Sequence, residues 1–408
     1  MDFELTRKEN DELLLAQVES ITTGENIQAL IPFAKAYLGM FYVIDSELDA
    51  KEKVRLLANT DLAESIFTGF LASLSLSDLP PIEEIGRGAA TKQEFAEGYV
   101  ILAGLDLLTN NSLGDMDHLG SDIIGKAVAF HFSNNSGFKN RWFDYLLNEH
   151  SEKILPAISM YWEAMLKNKA NFLPGKNLVL GDNADSKVIK YCVLSLLDTW
   201  KQCKAKTLSQ LLYLAFKYAD ANEFLTVCEQ ALNHDETLNE KTRLYWLIAA
   251  YLLSPDKYFA KLSNYVGRVK LKVMLLLDFL VLICNERDLS IKLSNKVVVQ
   301  ILRMVAPIFP PQHHVYGALG ELDINSKNVM VLFYSLACSD DKDVGNDIKT
   351  LRKARVMKIY SDVIDNLLEL HVRRNNEEDF ILPSFDEYLE KLVKDNCLQG
   401  RSNKFDLR

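Results

Sequence analysis

Ten consecutive apolar residues, Leu244 to Leu253 within LNEKTRLYWLIAAYLLSPDKYFAKLSNY (238–265), constrain this chain more than any other stretch. The run is about half the ~20 residues needed to cross a bilayer, so it reads as a helix covered on nearly every side by protein. Asn239 is placed to cap it, and Ser254-Pro255-Asp256 ends it and starts a second helix. That second helix is amphipathic, with Tyr258, Leu262 and Tyr265 on one side and Lys257, Lys261 and Asn264 toward water. One inner and one outer helix of a stacked pair is the simplest reading.

The same grammar recurs along the chain. Helical patterns over Val188–Trp200, Thr207–Tyr218, Ala221–Leu232, Lys241–Leu253, Asp256–Val266 and Val269–Asn285 are separated by loops of a few residues. Short loops make consecutive helices antiparallel neighbours, and pairs of this length fall somewhat below the ~40-residue HEAT and armadillo period. Only 18 Gly and 10 Pro in 408 residues argue against sheet folds that need tight turns. The expected fold is all-α, an irregular HEAT-like α-solenoid of stacked antiparallel helix pairs.

Earlier in the chain, Leu13, Leu14, Val18 and Ile21 form one apolar stripe, a helix starts at Ile82 after Pro80-Pro81, and Gly86, Gly88 and Gly98 suggest a less regular stretch. LPGKNLVLGDNADS (173–186) has no helical period and is the best internal break. The division expected is an N-terminal helical region (1–172), a connecting loop (173–187), a central helical-repeat region (188–306) and a C-terminal helical region (307–408). The last region opens with a Pro-rich interruption (307–326), continues with helices from Asn328, Asp347 and Ser384, and ends in a frayed tail (399–408).

A net charge of −10 repels nucleic acid and anionic membranes on average and favours protein partners. The six cysteines form no CxxC pair, which points to a reducing compartment. The N-terminus, MDFELTRKENDELLL, lacks the basic and apolar regions of a signal peptide, and no segment reaches the ~18 apolar residues of a membrane span. A cytoplasmic protein is expected.

No stretch carries recognisable catalytic chemistry. Gly120-Ser121-Asp122-Ile123-Ile124-Gly125-Lys126-Ala127 has P-loop spacing, but Ala127 stands where a metal-binding hydroxyl is required, and no strand pattern precedes Gly120. His313 and His314 have no third ligand at useful spacing, so no metal and no cofactor are expected. Trp142, Trp162, Trp200 and Trp246 read as core anchors rather than a base-stacking platform. Lys349, Arg352, Lys353, Arg355 and Lys358 make a basic run on one predicted helix, balanced by Asp340, Asp341, Asp343 and Asp347 before it.

Several phrases together have a familiar cast: LSDLPPIEEIGRGA, YVILAGLDLL (99–108), AVAFHFSNNSGFKNRWFDYLLNEHSEKILPAISMYWEAML (127–166), TRLYWLIAAYLLSPDKYFAKLSNYV (242–266), IFPPQHHVYGALGELDINS (308–326) and RRNNEEDFILPSFDEYLEKL (373–392). They resemble the HEAT-like helical C-terminal region of large bacterial NACHT-type (STAND) NTPases. In that family such a region senses or regulates, while attached ATPase and effector modules do the chemistry. This chain has neither set of motifs, so the resemblance carries over no catalytic residue. What it implies is a non-catalytic scaffold or sensor in bacterial antiviral defence, regulating an NTPase or nuclease in trans through a protein partner, which could also be a phage protein. The resemblance fits either a standalone subunit or a fragment of something longer, and the Met1 start with its N-terminal helices favours the standalone chain. Phe138, Trp142, His313 and Tyr316 are the candidate partner contacts. The alternative is a nucleic-acid-binding accessory subunit of a nuclease system, using the basic face at Lys349, Arg352, Lys353, Arg355 and Lys358.

Overall fold

The computed structural model of the chain describes residues 3–76, 78–134, 140–175, 189–201, 203–233, 238–284, 293–309, 324–341, 343–377 and 379–395. Every regular element among them is helical, so the fold is all-α. The chain separates into two compact units, 1–214 and 215–408. Of the stretches read as loops or tail, 173–187 is described only to Gly175, 307–326 only at its two ends, and 399–408 not at all.

The first unit contains α1 (Phe3–Leu14), α2 (Val18–Thr22), α3 (Ile27–Tyr37), α4 (Ala50–Arg55), α5 (Thr60–Ala72), α6 (Ile82–Thr91), α7 (Glu97–Asn111), α8 (Ser121–Ser133), α9 (Arg141–Glu149), α10 (Ser151–Lys167), α11 (Ser195–Thr199) and most of α12 (Ala205–Tyr218). Helix starts follow local chemistry. The side chains of Asn26, Asp49 and Asn59 accept hydrogen bonds from the backbone N–H groups of Ala29, Glu52 and Leu62, each cap worth about 1 kcal/mol. The stripe read through Leu13 does not survive as one face. A 3-10 turn at Leu15–Gln17 resets the helical phase, leaving Leu13 69% exposed while Ile21 is fully buried.

At the centre of this unit lies α7. It is buried continuously from Gly98 to Leu105 and packs on α3, α5, α8 and α9. The glycines at 86 and 88 do not loosen the chain as their composition suggests, because α6 runs through both without a break. Gly86 instead lets α6 settle against α10, where a Cβ would come within 2.8 Å of the Tyr161 carbonyl oxygen.

The second unit contains the end of α12, then α13 (Ala221–Asn233), α14 (Glu240–Leu253), α15 (Pro255–Val266), α16 (Lys270–Cys284), α17 (Asn295–Val305), α18 (Ile324–Ala337), α19 (Val344–Lys353), α20 (Ser361–Asn376) and α21 (Phe385–Lys394). The long apolar run is α14, buried from Leu244 through Tyr251 and packed on α13, α15 and α16. Asn239 caps it by accepting from the backbone of Lys241 and Thr242, and Pro255 opens α15. On α15, Tyr258 and Leu262 are buried and Tyr265 is half-buried, while Lys257, Lys261 and Asn264 are exposed. Beyond α14 the packing alternates. Helix α14 touches α16, α16 touches α18 and α18 touches α20, while α15 touches α17 and α17 touches α19.

Candidate functional site

The basic run is the best-defined of the sequence candidates, and it is not one helix. Helix α19 ends at Lys353, Ala354 is extended with ψ 119°, and a 3-10 helix follows over Arg355–Tyr360. Burial explains the break. Leu351, Met357 and Tyr360 are all buried, yet on a continuous α-helix Tyr360 would project roughly 180° away from Leu351. Ending the helix at Ala354 lets all three reach the core. Tyr360 is then fixed by its hydroxyl, which donates to the Phe309 carbonyl, and by its ring, 5.0 Å from that of Phe333.

In a 3-10 helix, residues three apart eclipse one another. With Met357 and Tyr360 turned inward, Arg355 and Lys358 form one outward ridge, and Val356 and Ile359 form a second beside it. Val356 is 42% and Ile359 49% exposed. Of the five basic residues, Arg352 is held by Asp365, Nε to Oδ1 at 2.6 Å and Nη2 to Oδ2 at 3.0 Å. Among the described residues no carboxylate lies within ion-pairing distance of Lys349, Lys353, Arg355 or Lys358. Lys349 and Arg374 lie close enough to His371 to add to the effect of burial in lowering its pKa. Of the acids before the run, Asp340 pairs with Arg374 and Asp341 accepts from Asn295.

The four candidate partner contacts fare unevenly. Phe138, His313 and Tyr316 lie outside the described residues. Trp142 is fully buried and therefore no surface contact: the first turns of α9 turn Trp142, Phe143 and Leu146 inward together. Its ring meets His131 edge-on at 5.5 Å and Phe143 at 5.7 Å. Burial in this aromatic cluster holds His131 neutral, its pKa lowered to about 4, while its Nδ1 lies 3.0 Å from the Asn140 amide nitrogen. The P-loop spacing is a helix start. Gly120 is the residue before α8, a 3-10 helix precedes it, and Lys126 is buried and paired with Asp122 of its own helix at 2.8 Å. A lysine so committed cannot reach a phosphate.

Sequence reasoning passed over Asp106, the single acid inside YVILAGLDLL. It lines an open cleft of about 760 Å³ together with Tyr37, Phe41, Tyr42, Lys53 and Asn140. The Tyr37 hydroxyl (3.1 Å) and the Asn110 amide (3.0 Å) both donate to its Oδ2. Burial raises its pKa against those two hydrogen bonds and the nearby Arg141 charge. The only advance signal was an acid in an otherwise apolar helix. Nearby, Asp117 Oδ1 lies 2.8 Å from both the Tyr145 hydroxyl and His150 Nε2, tying the 3-10 helix Leu113–His118 to α9 and the start of α10.

Cys192, Cys203 and Cys228 are buried free thiols and Cys338 is an exposed one. Among the described residues no group of three or more His, Cys, Asp or Glu is placed to hold a metal ion, and no helix is long and apolar enough to cross a membrane. No family model, curated protein or solved structure matches this chain.

Proposed function

We propose that this chain is a non-catalytic helical-repeat scaffold or sensor that binds a protein partner and so regulates an NTPase or nuclease in trans, in bacterial antiviral defence. The observation that carries the reading is the alternate packing from α14 to α20, in which α14 through α18 each touch the next helix but one. That is how an α-solenoid buries a continuous core between two layers while leaving outer faces and loop edges free to recognise something. The defence setting rests on the resemblance to the helical region of NACHT-type NTPases. Co-expression with each flanking gene product, followed by size-exclusion chromatography and native mass spectrometry, tests it. A defined complex with an ATPase or nuclease is the expected result, and a chain that elutes alone beside every neighbour refutes it.

Among the described residues Lys349, Lys353, Arg355 and Lys358 have no ion-pairing carboxylate, and these cations on and beside the 3-10 helix support a second reading, a nucleic-acid-binding accessory subunit. A salt titration decides it. Binding to phosphates loses affinity steeply between ~50 and ~200 mM salt, and neutralising Lys353, Arg355 and Lys358 must flatten that slope. Salt-independent binding, or none, removes the second reading.

A further inference from the structure

The strip over 353–359 is chemically two-sided, and that narrows what it fits. We propose that it docks an acidic amphipathic helix of a protein partner, with carboxylates at i and i+4 over Arg355 and Lys358 and aliphatic side chains at i+3 and i+7 over Val356 and Ile359. This deepens the reading of the chain as a partner-binding scaffold and rests on it.

Spacing is the first argument. Residues three apart on a 3-10 helix are about 6 Å apart along its axis, and residues four apart on an α-helix are also about 6 Å apart. Two such helices laid side by side therefore stay in register over both ridges. Charge complementarity is the second. Lys353, Arg355 and Lys358 have no acidic partner among the described residues, in a protein whose overall charge is −10. The third is the aliphatic ridge. Val356 and Ile359 are about half exposed directly beside the cations, and a phosphate backbone offers nothing to cover them.

The flanks disfavour extended polyanions. Arg352, which would otherwise lengthen the basic strip, is occupied by Asp365, and Asp362 lies near enough to Arg352 to act on its charge. A duplex or an anionic bilayer extending past the strip onto Arg352 would meet those carboxylates. A narrow helix would not. Rigidity of the strip follows from Met357 and Tyr360, whose burial fixes both ridges without any change on binding.

The test uses the full chain and a labelled, helix-stabilised peptide with Glu at i and i+4 and Leu at i+3 and i+7, read by fluorescence anisotropy. Replacing Glu by Gln in the peptide should weaken binding at least about tenfold, as should Arg355→Glu with Lys358→Glu in the protein. Val356→Ser with Ile359→Ser should weaken it several-fold, and a charge-matched control, Lys261→Glu with Lys327→Glu, should not. A peptide with Lys in place of Glu should restore binding to the charge-reversed protein, which separates lost recognition from lost folding. The inference is overturned if the peptide does not bind, or if the ridge variants bind it as the native chain does. It is equally overturned if a 20-base-pair duplex or vesicles of phosphatidylcholine and phosphatidylserine bind the strip more tightly than the peptide. A ridge variant that still co-purifies with a flanking ATPase or nuclease leaves the scaffold reading standing and overturns this docking site alone.

Discussion

Substituting Gly104→Ala sets two energies of opposite sign against each other at the contact between α5 and α7. Alanine favours the helix over glycine by about 1 kcal/mol. A Cβ at Gly104, however, would sit well inside 3.0 Å of the Phe70 backbone oxygen and 3.3 Å from a Leu74 methyl. The obstacle is backbone, so no rotamer change relieves it and the two helices must separate. Overpacking of this kind costs about 1–3 kcal/mol, and a gap of 0.5–1 Å forfeits a quarter to a half of each contact along the seam. That seam includes Phe67, Phe70, Val100, Ala103 and Leu107 in one buried cluster. Taking the upper end of the cost and subtracting the helix gain leaves a net loss of about 2 kcal/mol. For a unit spanning 1–214, this lowers Tm by about 4–8 °C. Because two units need not unfold together, the readout is calorimetry with hydrogen exchange followed on α5 and α7, not a single unfolding free energy. Gly114→Ala is the control: its Cβ would meet only the Ser112 hydroxyl oxygen at 3.8 Å, so a change within about 1 kcal/mol is expected. A Gly104→Ala protein that melts at or above the native temperature refutes the close approach.

Three further outcomes follow from the same structure. His131, held at about 4 in the fold, has an ordinary pKa near 6.5, so between those values the unfolded chain binds the extra proton and stability rises with pH. Stability of the first unit should therefore fall as pH drops from about 6.5 to 4, by at most about 3 kcal/mol from this group, and His131→Gln should flatten that slope in acid unfolding curves. In timed thiol labelling read by mass spectrometry, Cys338 should react well before Cys192 and Cys203, whose thiols burial pushes up to about 12, and before Cys228, whose thiol burial also raises. Tyr251→Phe removes the hydroxyl that donates to Gln300 at 2.9 Å and should cost about 1 kcal/mol in the second unit, with faster exchange in α14 and α17; unchanged exchange would count against that tie.

Signals that act within a few residues were legible before the structure. The Asn239 cap, the Pro255 start and the helix at Ile82 after Pro81 appear as read, and of the run Leu244–Leu253 all but the half-buried Leu252 and Leu253 are buried, because caps, proline geometry and apolar periodicity are settled within one or two turns. The break at Ala354 was not legible. Nothing near it resists a helix, and it exists because Leu351, Met357 and Tyr360 must all reach one core. Trp142 had been read both as a core anchor and as a partner contact, and only the packing around α9, which buries it completely, decides for the first.

By itself, then, the sequence determined an all-helical chain, the boundaries of α12 to α16 to within about two residues, and the inward face of α14 and α15. The tertiary structure decided which polar groups meet. Tyr37 and Asp106 stand 69 residues apart in the chain yet share a hydrogen bond, and Arg352 reaches Asp365 across a break that its own helix does not announce. Helix formation is driven by neighbours in sequence, whereas the pairing of charges, the neutrality of His131 and the exposure of Val356 and Ile359 depend on what the packed core leaves at each surface.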